Sequence, residues 1–263
     1  MPSRDFSVSV YFARAVLKNA VSQGLDPVSL LRKTRISPRL LLEDDARISA
    51  ERFADLQVNT MLAMGDEALG YVSRRMPIGC WTMMCHAVLG CETLGQAMAR
   101  YCRFYQLFEF GVNPHLIIEA NEARLRVENT EQQAKHDPYM IELLMFNAHR
   151  FASWLIQEHV PLQQVDLAYP AAAQLKDYRA MFLGNPVVFE QDYSQLVMSS
   201  AMLDRRIKQT EQSLRHFLRH PVLMLLTQTY DQNSWTSQVR ELVHQNLVDM
   251  PELNDVAAML EVH

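Results

Sequence analysis

The stretch that follows Pro138 constrains the fold more than any other part of the chain. Between Tyr139 and Glu158, apolar side chains recur on every face of the predicted helix instead of on one stripe. A helix that is apolar all round is unfavourable in water along its whole circumference, so it is stable only inside a fold. We therefore expect the other elements to pack around this central helix. Its apolar residues are Ile141, Leu143, Leu144, Met145, Phe146, Ala148, Phe151, Ala152, Trp154, Leu155 and Ile156.

Five short segments predict a small β-sheet. Residues 115–120 and 123–128 alternate apolar and polar side chains, and Asn121-Glu122 between them marks a hairpin turn. Residues 165–169, 187–189 and 196–199 supply three further candidates. Predicted helices outnumber these strands, so we expect an α+β fold that is predominantly helical, with one small, mostly antiparallel sheet of about five strands.

The first 75 residues are predicted to form a series of short helices. Apolar periodicity predicts a helix over 8–23, which Gly24 ends. Cap residues and prolines predict four further helix starts, at Asp26-Pro27, Ser37-Pro38, Ser49 and Asp66. The last of these helices should cover about 67–75. Basic residues within 32–39 raise the alternative of DNA binding, but the acidic run 43–45 beside them would repel phosphate.

Candidate ligand-binding residues occur in two predicted helices, 81–89 and 93–108, and in the central helix. A small-molecule pocket needs apolar walls with a few placed polar groups, and aromatic residues with polar tips supply both. The alternative for each candidate is an ordinary core side chain between the helices and the sheet. The candidates are Trp81, Met84, His86, Tyr101, Tyr105, Phe108, Met145, Phe146 and His149.

Charge, hydropathy and motifs argue against several classes of function. The net charge of −5 makes this stretch of chain a poor binder of DNA phosphates by itself. No apolar run approaches the roughly 18 residues that cross a bilayer, and the N-terminus does not look like a signal peptide, so we expect a cytoplasmic protein without a membrane partner. Metalloprotease, serine-hydrolase, dinucleotide and P-loop motifs are absent, which predicts no enzyme, cofactor or metal ion.

The cysteines are clustered between residues 80 and 102, but their spacing matches no CxxC zinc pattern. In a reducing cytoplasm, free cysteines are usually small buried hydrophobic residues. A thiol redox sensor is the alternative for this cluster. A haem sensor with His86 or His149 as proximal ligand is a second alternative. The four cysteines are Cys80, Cys85, Cys91 and Cys102.

The sequence of residues 234–263 predicts two amphipathic helices, one on either side of Pro251. Val239 and Leu242 share one apolar face of the first helix. Leu253, Val256, Ala257 and Leu260 repeat the same spacing in the second. A small alanine between bulkier apolar residues suits the close crossing of a helix-turn-helix. The basic stretch 203–219, which precedes this tail, is predicted to be a connecting helix.

The tail resembles the start of the DNA-binding domain of AraC/XylS-type transcription regulators. Val256, Ala257 and Leu260 match the "VAxxL" core of its first helix-turn-helix, within which the chain is expected to stop. The residues before the tail resemble the non-cupin "arabinose-binding domain of AraC type", an N-terminal ligand-sensing domain. That resemblance is carried by Gly24-Leu25-Asp26, Gly65-Asp66, Thr93-Leu94, Phe182-Leu183-Gly184 and Leu203-Asp204-Arg205.

The resemblance implies a ligand-responsive transcriptional regulator with three parts. These are a sensor domain (1–203), connecting helices and a linker (204–233), and the start of the all-α DNA-binding domain (234–263). A small-molecule effector is the expected partner, and promoter DNA is a partner of the full-length protein only. Paired DNA sites favour a homodimer. The alternative function is a stand-alone small-molecule-binding or catalytic domain, in which 234–263 is an ordinary terminal helix pair.

Overall fold

The computed structural model of the protein describes residues 6–129, 138–171, 178, 181–182 and 184–230. Its α-helices are Val10–Ser22 (α1), Pro27–Lys33 (α2), Ala50–Met64 (α3), Cys80–Leu89 (α4), Leu94–Phe108 (α5), Tyr139–Ile156 (α6), Glu211–Phe217 (α7) and Pro221–Leu226 (α8). The strands are Ser7–Ser9 (β1), Arg47–Ser49 (β2), Val112–Glu119 (β3), Glu122–Asn129 (β4), Leu162–Asp166 (β5), Val187–Val188 (β6) and Ser194–Ser199 (β7). The predicted DNA-binding-domain core lies outside the described residues; it comprises Val239, Leu242, Leu253, Val256, Ala257 and Leu260.

Helix α6 is the central element, as its sequence predicts. Of its 18 residues, 14 are buried, so nearly its whole circumference is in contact with protein. It packs against β4 and β7 on the sheet side and against α5 and α8 on other sides. Each large apolar side chain that is removed from water contributes about 1.5–3 kcal/mol, so the burial of α6 stabilises the fold substantially. No helix in the described part of the chain is long and apolar enough to span a membrane.

The five-stranded sheet has the order β3-β4-β7-β5-β6 and is antiparallel except for the β5–β6 pair. This confirms the α+β fold with a small, mostly antiparallel sheet. Leu125 pairs with Leu196, which in turn pairs with Val165, so the three central strands share one buried apolar row. The hairpin turn is Ala120-Asn121, one residue earlier than expected, and Ala120 adopts a positive φ of 50°.

Two of the N-terminal helices are capped by the predicted residues. The Asp26 carboxylate accepts hydrogen bonds from the backbone N–H groups of Val28 and Ser29 at the start of α2. The Ser49 hydroxyl accepts from Arg52 N–H at the start of α3. Sequence analysis did not predict the two-stranded sheet that β1 and β2 form, because three-residue strands are too short to show periodicity.

The prediction of a helix over about 67–75 is wrong. Residues 66–76 form a series of turns that Asp66 organises, since its carboxylate accepts from the N–H groups of Ala68, Gly70 and Met76, each at 2.9 Å. One of those three groups lies ten residues away, so Asp66 holds a loop together instead of capping a helix. Short polar side chains compete with helix formation in this way.

The prediction of a continuous helix over 203–219 is also wrong. Residues 200–204 form a 3₁₀ turn, and the chain is then extended until a capping box of Thr210 and Ser213 begins α7. The extended part makes backbone hydrogen bonds with two other parts of the fold: Leu94 N–H donates to the Arg205 carbonyl, and Lys208 N–H donates to the Leu155 carbonyl. These long-range bonds take the place of helical ones.

Candidate functional site

A cleft lies between α3 and α6, and α8 covers it. It consists of two adjoining cavities with volumes of about 510 and 450 Å³. Each volume falls within the range of roughly 300–1,000 Å³ that small-molecule sites have. The two cavities share walls from all three helices, namely Gln57, Leu143, Asn147 and Val222. Leu143, Phe146 and Asn147 are three of only four α6 residues that are not buried, and all three face this cleft.

The first cavity, which we call the arginine cavity, lies between β1, α1, α3 and α6. Its apolar wall includes Phe12, Phe53, Phe146 and Leu226. Arg150 lines it from the C-terminal half of α6. A guanidinium inside an otherwise largely apolar enclosure is the most unusual feature of this wall, because charged residues are seldom fully buried unless they are paired.

Arg150 is only 5% exposed. Its Nη1 donates to the Gln228 carbonyl at 3.3 Å, and its Nη2 donates to the Met181 carbonyl at 3.4 Å. The guanidinium also lies 5.4 Å from the centre of the Phe146 ring. Its Nε is buried without a hydrogen-bond partner in the described structure. Burial lowers the pKa of Arg150 to about 10, so it remains a cation at neutral pH.

Glu142 is the other buried charged residue of the arginine cavity. The hydroxyl groups of Tyr169 (3.0 Å) and Tyr178 both donate to its Oε1. Burial first, and the Glu142 charge second, raise the pKa of both tyrosines, so these hydroxyls stay protonated and keep donating. Glu142 and Arg150 are eight positions apart on α6, which corresponds to about 12 Å along the helix axis. The two side chains are therefore separate charged features and not an ion pair.

The second cavity, which we call the tryptophan cavity, lies between α3, α4, α6 and α8. Its apolar wall includes Met61, Ile78, Leu144 and Leu223, and Trp81 and Tyr105 also line it. The indole ring of Trp81 packs edge-on against Phe151 at 5.3 Å. The indole N–H is buried and has no hydrogen-bond partner in the described part of the chain, so it is a donor available at this wall.

Glu67 fixes the position of Trp81. Its two carboxylate oxygens accept from the backbone N–H groups of Gly79 and Trp81, each at 2.7 Å, where α4 begins. Burial raises the pKa of Glu67, and these two hydrogen bonds act in the opposite direction. The carboxylate lines the tryptophan cavity but is already engaged in holding the first turn of α4.

Three of the candidates from the sequence line the cleft. Trp81 and Tyr105 line the tryptophan cavity, and Phe146 lines the arginine cavity. Met84 and Met145 are fully buried and line neither cavity. Three of these five residues thus line a cavity and two lie in the core. Their role in ligand binding stays a prediction.

The four remaining candidates line neither cavity. Tyr101 is buried against the Tyr105 ring, with centroids 5.0 Å apart. His149 is 1% exposed, and its Nε2 lies 2.8 Å from the Val160 carbonyl. Burial lowers the pKa of His149 to about 3, so this imidazole is neutral. His86 and Phe108 lie at the surface, where His86 Nδ1 is 3.8 Å from a Glu211 carboxylate oxygen.

The four thiols lie in surroundings that disfavour the thiolate. Cys85, Cys91 and Cys102 are buried and Cys80 is half-buried, and all four are free. Desolvation raises the pKa of each thiol, to about 12 for Cys102. Reactive redox cysteines have the opposite property, a lowered pKa with solvent access. Within the described ranges, no three His, Cys, Asp or Glu side chains are grouped as metal ligands.

Sequence analysis missed the polar residues of the cleft. Gln57 is 3% exposed on α3, and Asn147 and Arg150 lie one helical turn apart on α6. The available signal was a polar residue within an otherwise apolar face, because such residues seldom persist in a core without a partner. Val222 of α8 could not be recognised in this way, because it is an apolar residue among other apolar residues.

Comparison with known proteins gives the family of the chain. The model of the family described as "Arabinose-binding domain of AraC transcription regulator, N-term" matches residues 24–207, which include α3 and α6. The chain is also similar to the crystal structure of the transcriptional regulator CdpR from Pseudomonas aeruginosa, with 14% identity, a TM-score of 0.39, and coverage of 89% of this chain and 73% of that chain. No curated protein sequence matches it. With most of its length matched, the chain belongs to the family of N-terminal arabinose-binding domains of AraC transcription regulators.

Proposed function

We propose that this chain is the effector-sensing part of a ligand-responsive transcriptional regulator, and that a small-molecule effector binds in the cleft between α3 and α6. The observation that carries the proposal is the construction of the cleft. Two adjoining cavities share walls from three helices, and the third helix, α8, is the last one described before residue 231. The effector site is therefore next to the segment that leads to the predicted DNA-binding residues.

The contacts of α8 support a route for the response. Val222 lines both cavities, and the Gln228 carbonyl just after α8 accepts from Arg150. An effector in the cleft would touch α8 and α6 at once and would favour one arrangement of the two helices over another. Such differential binding shifts a conformational equilibrium, which is the thermodynamic basis of allosteric control.

The effector itself is not given by the family description. A sugar presents hydroxyl groups on all sides and needs a matching set of hydrogen-bond partners. The cleft instead has mostly apolar walls, with three amides (Gln57, Asn147 and Gln228), one buried carboxylate (Glu142) and one buried cation (Arg150). We propose that the complete regulator acts as a homodimer on promoter DNA, since helix-turn-helix proteins usually bind paired half-sites.

A substitution that fills the cleft tests the proposal. Asn147→Trp places a large ring where the two cavities meet, whereas Asn121→Trp makes the same change in the exposed hairpin turn between β3 and β4. The full-length proteins would be purified and analysed by native mass spectrometry for a co-purified small molecule. In parallel, a reporter fused to the promoters beside the gene would measure transcription.

We expect the wild-type protein and Asn121→Trp to retain a bound molecule and a regulated reporter. Asn147→Trp should lose the bound molecule and lock the reporter in one state, although it remains folded by circular dichroism. A reporter that responds identically in Asn147→Trp and the wild type would show that the cleft is not the effector site.

A further inference from the structure

Arg150 is a buried cation that has no anionic partner among the described residues. Its contacts are two backbone carbonyls, at 3.3 and 3.4 Å, and one aromatic ring. Both hydrogen bonds are longer than the usual range of about 2.7–3.2 Å. Burial is the one influence on the pKa of Arg150, with no contribution from a carboxylate among the described residues. Burial of a charge is unfavourable unless it is paired, so this arrangement calls for a partner inside the arginine cavity.

We infer that the effector is a small carboxylate with an apolar body, and that its carboxylate pairs with Arg150 at one end of the cleft. The inference deepens the proposed function and rests on it, since both concern the same cleft. A guanidinium offers five N–H donors in a planar fork that matches the two oxygens of a carboxylate. Here Nε is unused and the two Nη contacts are long, so donors remain for such a ligand.

The other charges of the arginine cavity favour a monoanion over a phosphate group. Glu142 is a buried acidic residue in the same cavity and would repel a second negative charge. Arg47 is exposed at the edge, and its guanidinium is held by the hydroxyl and the carbonyl oxygen of Ser7, each at 2.7 Å. A single buried cation thus matches one negative charge.

The apolar body of the ligand would extend along α6 towards its N-terminus. Asn147 lies one turn before Arg150 and Leu143 one turn before that, at about 4.5 and 10 Å along the helix axis, and all three line the cleft. Neither the Gln57 amide nor the Asn147 amide makes a side-chain hydrogen bond within the described residues. These two amides can therefore bind a polar group near the middle of the ligand, before the apolar walls of the tryptophan cavity.

Three probes with one body and three charges test this inference. They are 4-phenylbutyrate, the neutral 4-phenylbutyramide and the cationic 4-phenylbutylamine. Isothermal titration calorimetry with the full chain should show the carboxylate binding at least tenfold more tightly than the amide, and the amine most weakly. Arg150→Met should remove the advantage of the carboxylate, so that carboxylate and amide bind the variant with similar affinities. Arg150→Lys should keep part of the advantage, because it keeps the charge but not the planar fork.

Equal affinities of the wild-type protein for the carboxylate and the amide would overturn the inference, and this comparison needs no variant to fold. Unchanged binding of the carboxylate to Arg150→Met would overturn it as well. The Asn147→Trp variant separates the two levels of the argument. Suppose that the wild-type protein binds carboxylate and amide equally and that Asn147→Trp binds neither. The cleft then remains the effector site, and only the assignment of a carboxylate fails. If no probe binds the wild-type chain, or if Asn147→Trp binds every probe normally, the proposed site fails too.

Discussion

Replacing Phe217 by alanine should loosen α7 and α8 from α6 and so open one wall of the cleft. Phe217 is completely buried, and its ring centroid lies 4.5 Å from that of Trp154 and 5.9 Å from that of Phe151. Helix α7 has only seven residues. Isolated helices shorter than about 12–15 residues are marginal in water, so the position of α7 depends on what it packs against. Leu214 is the one other fully buried side chain of this helix.

The expected effect follows from the buried surface. A buried phenylalanine removes about 150–250 Å² from water. At about 25 cal/mol per Å² this corresponds to roughly 4–6 kcal/mol, which is an upper value because unfolded chains already bury part of that surface. Measured Phe→Ala losses in cores are about 3–5 kcal/mol. We therefore expect Phe217→Ala to lower the free energy of unfolding by about 3–5 kcal/mol.

Urea unfolding, followed by tryptophan fluorescence, measures this loss. Phe108→Ala is the matched control, because it removes the same atoms from a side chain that is already 42% exposed. The control should lose less, because only part of its side chain is removed from water. Hydrogen exchange of the α8 amides should also become faster in Phe217→Ala. A loss no larger than that of Phe108→Ala, together with unchanged exchange in α8, would refute the argument that aromatic packing on α6 holds this wall.

Three further predictions concern the body of the fold. Gly70→Ala should lower the melting temperature more than Gly184→Ala, although both positions have a positive φ. A Cβ at Gly70 would lie 2.9 Å from Gln23 Nε2 and 3.2 Å from Asn19 Cβ, whereas a Cβ at Gly184 would meet no described residue within 4 Å. Cys85 and Cys102 should react with a thiol reagent only as fast as the protein unfolds, because burial raises the pKa of both, and rapid reaction of the native protein would contradict this. The pKa of His149 is lowered to about 3, so the unfolded state takes up its proton first as the pH falls below about 6.5. The free energy of unfolding should therefore fall progressively between pH 6.5 and pH 3. In His149→Gln this fall should be smaller, and urea unfolding at several pH values measures both.

The central helix and the sheet could be predicted because their signals are local. The burial of α6 follows from apolar residues on all its faces, and the hairpin follows from alternation on both sides of a turn. Residues 66–76 were mispredicted because Asp66 looks like a helix cap in the sequence, whereas it binds the N–H of Met76 across the loop. The extended stretch before α7 was mispredicted because its backbone hydrogen bonds join it to residues near 93 and 155. Contacts so far apart in the chain cannot be recognised from the local sequence pattern.

The cleft could be predicted only in part. Trp81 and Tyr105, which line the cleft, were predicted because aromatic side chains with polar tips are typical of binding sites, and Phe146 was predicted as part of an apolar wall. Gln57, Asn147 and Val222 were missed because the walls come from three helices that are far apart in the sequence. Only the packed fold shows that they face the same space. Arg150 was missed because only the apolar residues of α6 were considered when its buried faces were predicted.

Helix α8 can be altered by mutation separately from the rest of the domain, because of where it lies in the fold. Its six residues follow the matched range 24–207, and only Leu225 among them is buried. Val222 and Leu226 are half-buried and face the cleft, and Leu226 also packs against the edge of the core. A small library at these two positions can therefore change the size and polarity of the binding space while the rest of the domain is unchanged. That makes α8 the natural starting point for converting the protein into a biosensor with a chosen specificity.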